Sequence, residues 1–275
     1  MKEPTRHQYL MESEVESIRL DLKTEPRSVQ RQARWSGVKP GMRLGDLGCG
    51  PGKTTFYLHK MVQPGGSALG IDISPRRIEY AKAHYEAAGL EFRAGDIRGS
   101  LEPHGKFDFL WARFVLEYNR SSAYEIVRSA ASALKPGGIL CLIDLDYNCL
   151  SHFGHSPALE RAMNGLMRHL EQHADFDPYV GRKLYSYLYD LGFSGIRVQL
   201  TPHHLIYGKL KEKDLFNWTK KIEIAAKDSG YPFKEFESGY EGFRAEFEKF
   251  FYDPRRFTYS PVIVCCGKKP RQTRS

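Results

Sequence analysis

The sequence predicts an α/β fold in which a parallel sheet carries helices on both faces. Three observations carry this expectation. Between residues 42 and 145, short apolar runs of strand length alternate with amphipathic stretches of helix length. The links between them are short, and glycine or proline punctuates the turns. Alternation of this kind implies right-handed crossovers between neighbouring parallel strands.

Residues 5–36 read as helical, with Tyr9, Leu10, Val15, Ile18 and Leu22 set among charges and Pro26 dividing the stretch. The turn Lys39-Pro40-Gly41 leads into a strand over 42–47, the loop Gly48-Cys49-Gly50-Pro51-Gly52 and a helix over 53–62. A second strand covers 68–73, with Ser74 as N-cap and Pro75 opening a helix to about residue 88. A third strand, 90–94, runs into Gly95-Asp96-Ile97. A fourth covers 107–112 and is followed by a helix over 121–134, which Lys135-Pro136-Gly137-Gly138 should stop and turn. Residues 139–145 form a near-continuous apolar run, the mark of a strand buried on both faces.

The rhythm then changes. Helices are expected over 156–173 and 178–191, a strand over 196–200 and a last strand over 261–266. Between those strands the segment 202–256 is rich in aromatics, among them Phe216, Trp218, Phe243, Phe247 and Phe251. So long an insertion needs its own packing, and a helical cap that buries these rings and lines an acceptor pocket satisfies that need.

Composition bounds the function. The 275 residues are 41% hydrophobic and 27% charged, which suits one folded core with embellishments. No run approaches the ~18 apolar residues of a membrane span, and the opening MKEPTRHQY has no signal-peptide core. The 41 Lys and Arg against 33 Asp and Glu give +8, but half of that excess lies in the terminal KKPRQTRS, expected to be a disordered basic tail. That tail lacks interleaved aromatics, so nucleic acid is disfavoured as a partner. The five cysteines show no Cys-x-x-Cys spacing, and adjacent Cys265 and Cys266 should point to opposite faces of a strand. Free thiols of this kind fit a reducing cytoplasm.

The glycine-rich loop is the first chemical signal, because glycine lets a ligand approach backbone N–H groups. Its spacing, Gly48-x-Gly50-x-Gly52, departs from the Gly-x-Gly-x-x-Gly of dinucleotide sites. Asp46 just before it suits an ammonium group and repels pyrophosphate. Asp72, at the end of the second strand, can accept hydrogen bonds from two ribose hydroxyls. Asp96, after the third, can receive an exocyclic amine beside the apolar face of Ile97. Ligands of open α/β sheets sit beyond the carboxyl ends of the strands, so the three acids can share one crevice.

On these residues the sequence resembles the class I S-adenosylmethionine-dependent methyltransferases, in particular the small-molecule branch of the ubiquinone and menaquinone type. The matching pieces are the segments 46–52, 70–75, 95–97, 107–113 and 134–138. The resemblance implies a Rossmann-like, doubly wound, seven-stranded sheet, mostly parallel with an antiparallel last strand, plus the helical cap. It divides the chain into an N-terminal helical segment over 1–37 that closes over the cofactor, a core over 38–200 and 257–267, a cap over 202–256 and a tail over 268–275. It implies S-adenosylmethionine as cofactor and S-adenosylhomocysteine as product. The aminocarboxypropyl end would lie on the loop from Asp46 through Gly48, Gly50 and Gly52, and the ribose on Asp72. Adenine would lie between Ile73 and Asp96-Ile97, while Ala112 and Arg113 would meet the methionyl part and Tyr9 would close over the cofactor.

The implied reaction is in-line methyl transfer to an O, N or C atom of an apolar small molecule. Glu117, Tyr118, Asp144, Asp146, Tyr147, His152 and His155 stand near the crevice, but no spacing singles out a catalytic base. Ala112-Arg113 occupies the place where metal-dependent catechol methylators carry an acid, so no metal site is expected. Two rival functions remain: a protein or RNA methyltransferase acting through cap and tail, and a binding module that retains the cofactor site without catalysis. Neither the methyl acceptor nor the oligomeric state follows from the sequence.

Overall fold

The computed structural model describes residues 16–227 and 229–271. Two helices open the described chain, α1 (Glu16–Lys23) and α2 (Pro26–Ser36), with Pro26 in the first turn of the second. Proline is tolerated there because its missing N–H would have had no helical partner. Five parallel strands follow with their crossover helices: β1 (Arg43–Leu47), α3 (Lys53–Val62), β2 (Ser67–Asp72), α4 (Pro75–His84), β3 (Leu90–Ala94), β4 (Phe107–Arg113), α5 (Ala123–Ala133) and β5 (Leu134–Leu145). The C-terminal part contains the two-residue β6 (His152–Phe153), α6 (Pro157–His173), α7 (Leu184–Asp190), β7 (Ser194–Tyr207), α8 (Glu212–Lys221), α9 (Tyr240–Tyr252) and β8 (Phe257–Lys268).

The strands hydrogen-bond in the order β3-β2-β1-β4-β5-β8-β6, and β7 also pairs with β8. β1 to β5 are mutually parallel, whereas β8 runs antiparallel to β5, β6 and β7. The doubly wound sheet with an antiparallel last strand is therefore present, with eight strands where seven were expected; the short β6 is the addition. Apolar clusters cover both faces. One gathers Leu47, Ile71, Leu110, Leu142 and Cys265, and the other Leu44, Phe109, Trp111, Ile143 and Cys266. The adjacent cysteines thus serve opposite faces, as strand alternation requires.

Register aligns the strand tips. Asp46 lies opposite Gly70 and Trp111, Asp72 opposite Ala94, and Arg113 opposite Ile143. The residues that follow β1 to β5 consequently emerge along one edge of the sheet.

The C-terminal elements differ from the sequence reading in four respects. β7 extends to Tyr207 because it pairs with β8 along its length, so the first residues of the expected 202–256 cap are strand. The expected core helix over 156–173 forms as α6, yet it packs with α8 and α9: Leu159, Met163 and Leu166 share a cluster with Trp218, Phe243 and Phe247. The cap is thus assembled from two distant stretches of sequence. The helix expected over 178–191 is a 3-10 turn, Val180–Lys183, followed by the short α7.

The fourth difference concerns Lys135-Pro136-Gly137-Gly138 and the tail. β5 begins at Leu134 and absorbs the Pro-Gly-Gly as an irregularity, its pairing jumping from Phe107↔Leu134 to Phe109↔Ile139. Gly137 N–H donates to Lys269 O at 2.9 Å, and Lys269 N–H donates to Gly138 O at 2.8 Å. The Lys269 ammonium donates to Ala131 O and Leu134 O at 2.7 and 3.0 Å, adding a charged donor at the end of α5, where Leu134 N–H also donates to Ala131 O. Lys268 and Lys269, expected in a disordered tail, are parts of the fold. Lys269→Met should therefore cost about 0.5–1.5 kcal/mol and lower the unfolding midpoint by ~2–6 °C in a thermal melt; an unchanged midpoint would mean that the cap contributes no stability.

Candidate functional site

The loop between β1 and α3 takes its shape from three glycines in the left-handed region: Gly48, Gly50 and Gly52, with φ of 70°, 55° and 90°. Two of them are also required by packing. A Cβ on Gly48 would lie 2.4 Å from Val115 Cγ2, and one on Gly52 would lie 2.7 Å from Ala81 Cβ. Gly50 differs, because a Cβ there would meet only Leu20 Cδ1, at 3.7 Å. Two backbone donors, Gly48 N–H and Cys49 N–H, are fixed to Ile71 O at 2.8 and 3.0 Å.

Asp72 anchors the next donor. Its Oδ2 accepts from Gly50 N–H at 2.9 Å, its Oδ1 accepts from Ser74 N–H at 2.9 Å, and Arg77 Nε lies 3.2 Å from Oδ1. The side chain is nearly enclosed. Asp72 therefore joins the glycine loop to the start of α4 besides being the expected ribose partner. Replacing it by alanine would remove the carboxylate beside the buried Arg77 guanidinium, so that change tests folding as well as binding.

Asp46 is 2% exposed, and its Oδ2 accepts from Thr55 Oγ1 at 2.6 Å. Burial pushes its carboxyl up to about 7, against the opposing pull of the Thr55 hydrogen bond and the Arg113 charge. Asp96 sits at the far end of the same sheet edge, its carboxylate gripped by Arg98 through Nε and Nη2 at 2.9 and 2.7 Å. Those hydrogen bonds hold it below the usual carboxylate range. Ile73 is 50% exposed and offers an apolar surface, whereas Ile97 is only 8% exposed and packs in the core cluster beneath. Of the two isoleucines expected to flank adenine, Ile73 is the accessible one.

α1 rests on this loop. Lys53 Nζ donates to Asp21 O and to Asp21 Oδ2 at 2.7 and 3.2 Å, and Tyr85 Oη donates to Asp21 Oδ1. Tyr9, expected to close over the ligand, lies outside the described residues.

From Asp46 a file of polar groups leads toward the cap. Ala112 is buried in the core, while Arg113 interacts electrostatically with Asp46 and Asp144 and lies with its guanidinium 4.2 Å from the Phe114 ring centroid. Burial lowers the Arg113 guanidinium to about 10, which leaves it charged near neutral pH. Asp144 accepts from the N–H groups of Leu116, Glu117 and Leu145. Buried Glu117 accepts from Asn148 Nδ2 at 2.7 Å. Burial raises both carboxyls, and for Asp144 the neighbouring Glu117 adds to the effect.

Asn148 opens onto a narrow cavity of about 50 Å³, partly open to solvent, between α6 and the α8–α9 layer, lined by Met163, Leu166, Met167, Trp218, Phe243 and Lys221 among others. The enclosed space is smaller than a drug-sized pocket, so the wall must adjust, or the ligand extend through the open side, for a small molecule to be seated there.

The structure also places groups that sequence reasoning missed. Lys23, at the end of α1, is brought down to about 7 by burial and by the charges of Lys221 and Arg19. Burial likewise pulls His203 and His204 well below the ordinary imidazole value. Nothing in the periodicity of helix or strand distinguishes these residues from surface ones; the doubled histidine in an extending strand is the one available signal. Of the acids and histidines weighed earlier, Glu117 and Asp144 are in the file. Asp146 is paired with Arg182 at 2.8 Å, and His152 is committed to Thr258 Oγ1 and Cys149 O at 2.8 and 3.1 Å. Those bonds and its burial, which lowers its imidazole to about 4, give His152 a structural role.

Comparison with known proteins finds methyltransferase likeness over part of the chain. Residues 45–138 match the family described as "Methyltransferase domain". A ubiquinone biosynthesis O-methyltransferase of Methylobacterium sp. (strain 4-46) is 35% identical over 101 residues, covering 36% of this chain and 39% of that protein. Among solved structures, the YcgJ protein from Bacillus subtilis superposes with a TM-score of 0.60 at 17% identity, covering 90% of this chain and 100% of that one. Phosphoethanolamine N-methyltransferase 2 of Haemonchus contortus, solved with S-adenosyl-L-methionine, gives 0.54 at 15% identity over 89% of this chain and 53% of its own. The chain spans about half or less of the length of the curated relatives it matches, between 39% and 49% for three of them.

The raised Asp46 carboxyl has a stability consequence. A folded-state value of about 7 against an ordinary 3.8 means that folding favours the protonated form. This contribution is fully present below about pH 4 and is lost as the pH climbs toward 7, at up to about 1.4 kcal/mol per pH unit. Urea unfolding of the ligand-free protein should therefore show the wild type losing stability relative to Asp46→Asn between pH 4.5 and 7.5. A constant difference would indicate that Asp46 stays ionised throughout.

Proposed function

We propose that this chain, whose residues 45–138 match a methyltransferase domain, is a class I enzyme that transfers a methyl group from S-adenosylmethionine to an O, N or C atom of an apolar small molecule. The observation that carries the proposal is the adjacency of two sites. A glycine loop held by Asp72 adjoins, through Arg113, Asp144, Glu117 and Asn148, an apolar cavity in the cap. The residues suit the cofactor. Gly50 leaves space that a side chain would fill, Asp46 is a buried carboxylate suited to an ammonium, and Arg113 Nε is buried without a hydrogen-bond partner among the described residues. S-adenosylmethionine supplies a methyl carbon activated by a positively charged sulfur.

The chain's own contribution is placement and exclusion of water. Asp72 and Asp96 hold the ribose and adenine portions, with Ile73 against the purine, and Asp46 with the Gly48–Gly52 backbone holds the amino-acid portion. The Ala112–Arg113 backbone orients the sulfur toward the cap. Aligning two reactants in this way can supply ~7–11 kcal/mol of barrier lowering. Charge on sulfur disappears during transfer, so the dry wall of Trp218, Phe243 and Phe247 favours the reaction. The N-terminal segment through α1 acts as the cover of the cofactor site, consistent with Leu20 over Gly50 and the Asp21 bonds. We place the protein in the cytoplasm, where the five free cysteines would stay reduced. Among the described residues no helix is long and apolar enough to cross a membrane.

Titration calorimetry with S-adenosylhomocysteine tests this assignment. Asp72→Asn, which keeps the shape of the side chain, should weaken binding about 10-fold or more. At pH 6 the wild type should release up to one proton on binding, as the ligand ammonium drives Asp46 to ionise, and Asp46→Asn should abolish the release. Undiminished affinity in Asp72→Asn, or proton release that survives in Asp46→Asn, would remove these residues from the cofactor site. Binding without turnover across a broad acceptor panel would favour the inactive binding module.

A further inference from the structure

We propose that the cap cavity takes an acceptor with an apolar body and an anionic oxygen head, and that Lys221 together with the indole N–H of Trp218 seats the head. The proposal rests on the methyltransferase reading only in calling the occupant the acceptor; the chemistry of the cavity stands apart from it.

The cavity wall is almost wholly apolar, and its two methionines, Met163 and Met167, can adapt to an irregular or flexible body. Against that wall the unspent polar groups are donors. Lys221 comes from the last turn of α8 with its ammonium 5.0 Å from the Trp218 ring centroid. Its polar contacts are long, 3.4 Å to Asn148 Oδ1 and 3.6 Å to Cys149 Sγ, and among the described residues it forms no ion pair. Trp218 Nε1 is buried without a hydrogen-bond partner among the described residues. A cation and an N–H donor on one apolar cavity match a carboxylate or an ionised hydroxyl, whereas an ammonium head would meet repulsion.

The surrounding charges point the same way. Glu117 interacts electrostatically with Lys221, but its Oε2 accepts from Asn148, and its burial favours the protonated form. Asp144 is turned to three backbone N–H groups and is likewise raised by burial. Arg113 remains charged, whereas burial shifts Lys23, His203 and His204 toward their neutral forms. At the cavity itself Lys221 is a cation with no ion-pair partner among the described residues, and an anionic head supplies one.

Three decyl compounds of matched length separate the possibilities: decanoate, decan-1-ol and decylamine, titrated at pH 8 into the full chain with and without saturating S-adenosylhomocysteine. Trp218 fluorescence and calorimetry provide the readout. Decanoate should bind at least 10-fold more tightly than the alcohol and the amine. Lys221→Met should erase that preference, Lys221→Arg should retain it, and both variants should bind S-adenosylhomocysteine as the wild type does. Equal or better binding of the alcohol or amine, a preference that survives in Lys221→Met, or no binding of any of the three would overturn the proposal. Cofactor binding without acid preference leaves methyl transfer standing and removes the anionic head. Acid preference without cofactor binding does the reverse.

Discussion

The hydrogen bond from Gly50 N–H to the Asp72 carboxylate is the constraint on which the site depends. A loop with three left-handed glycines has wide backbone freedom before folding, and something must fix it if its N–H groups are to meet a ligand. Asp72 does so from the neighbouring strand, while its own position is set by Ser74 N–H and by the Arg77 guanidinium. The same side chain thus joins the loop to the start of α4. A carboxylate with this many protein partners is fixed before any ligand arrives, which limits the ordering cost of binding.

A second constraint operates where the core meets the cap. Burying Glu117, Asp144, Arg113 and Lys23 together is expensive unless their partners are arranged to compensate. The structure answers in two ways: the acids take backbone and amide donors, and burial shifts the carboxyls and Lys23 toward their neutral forms. Such a concentration of shifted groups between a glycine loop and an apolar cavity is typical of functional sites. The aromatic shell of the cap, with Trp218 stacked on Phe247 and Phe247 on Phe251, gives that seam an apolar wall.

Much of the core was legible because its signals are local. Strand β1, the loop, α3, β2 with the Ser74-Pro75 helix start, and β3 each carry their determinants within a few residues, and the structure places them within a residue or two of the sequence reading. Asp46, Asp72 and Asp96 were readable as strand-end acids for the same reason. The cap was less so. That α6 would pack with α9 and α8, or that β7 would run on to Tyr207, depends on tertiary pairing that amphipathic pattern alone does not specify. Lys23 and Lys221 look like ordinary solvated helix lysines in sequence; only their meeting across the seam, about 200 residues apart in the chain, reveals them. The Pro-Gly-Gly after α5 reads locally as a turn, but pairing with Lys269 draws it into β5.

The central claim is that Asp46, Asp72 and Asp96 address different parts of one adenosyl ligand along a single sheet edge. A crystal structure of the complex with S-adenosylhomocysteine tests it most directly. The ribose hydroxyls are expected on Asp72, the adenine amine within hydrogen-bonding reach of Asp96 with Ile73 on its face, and the ammonium beside Asp46. A ligand lodged away from these strand tips, or one that leaves Asp72 and Asp46 untouched, would contradict it.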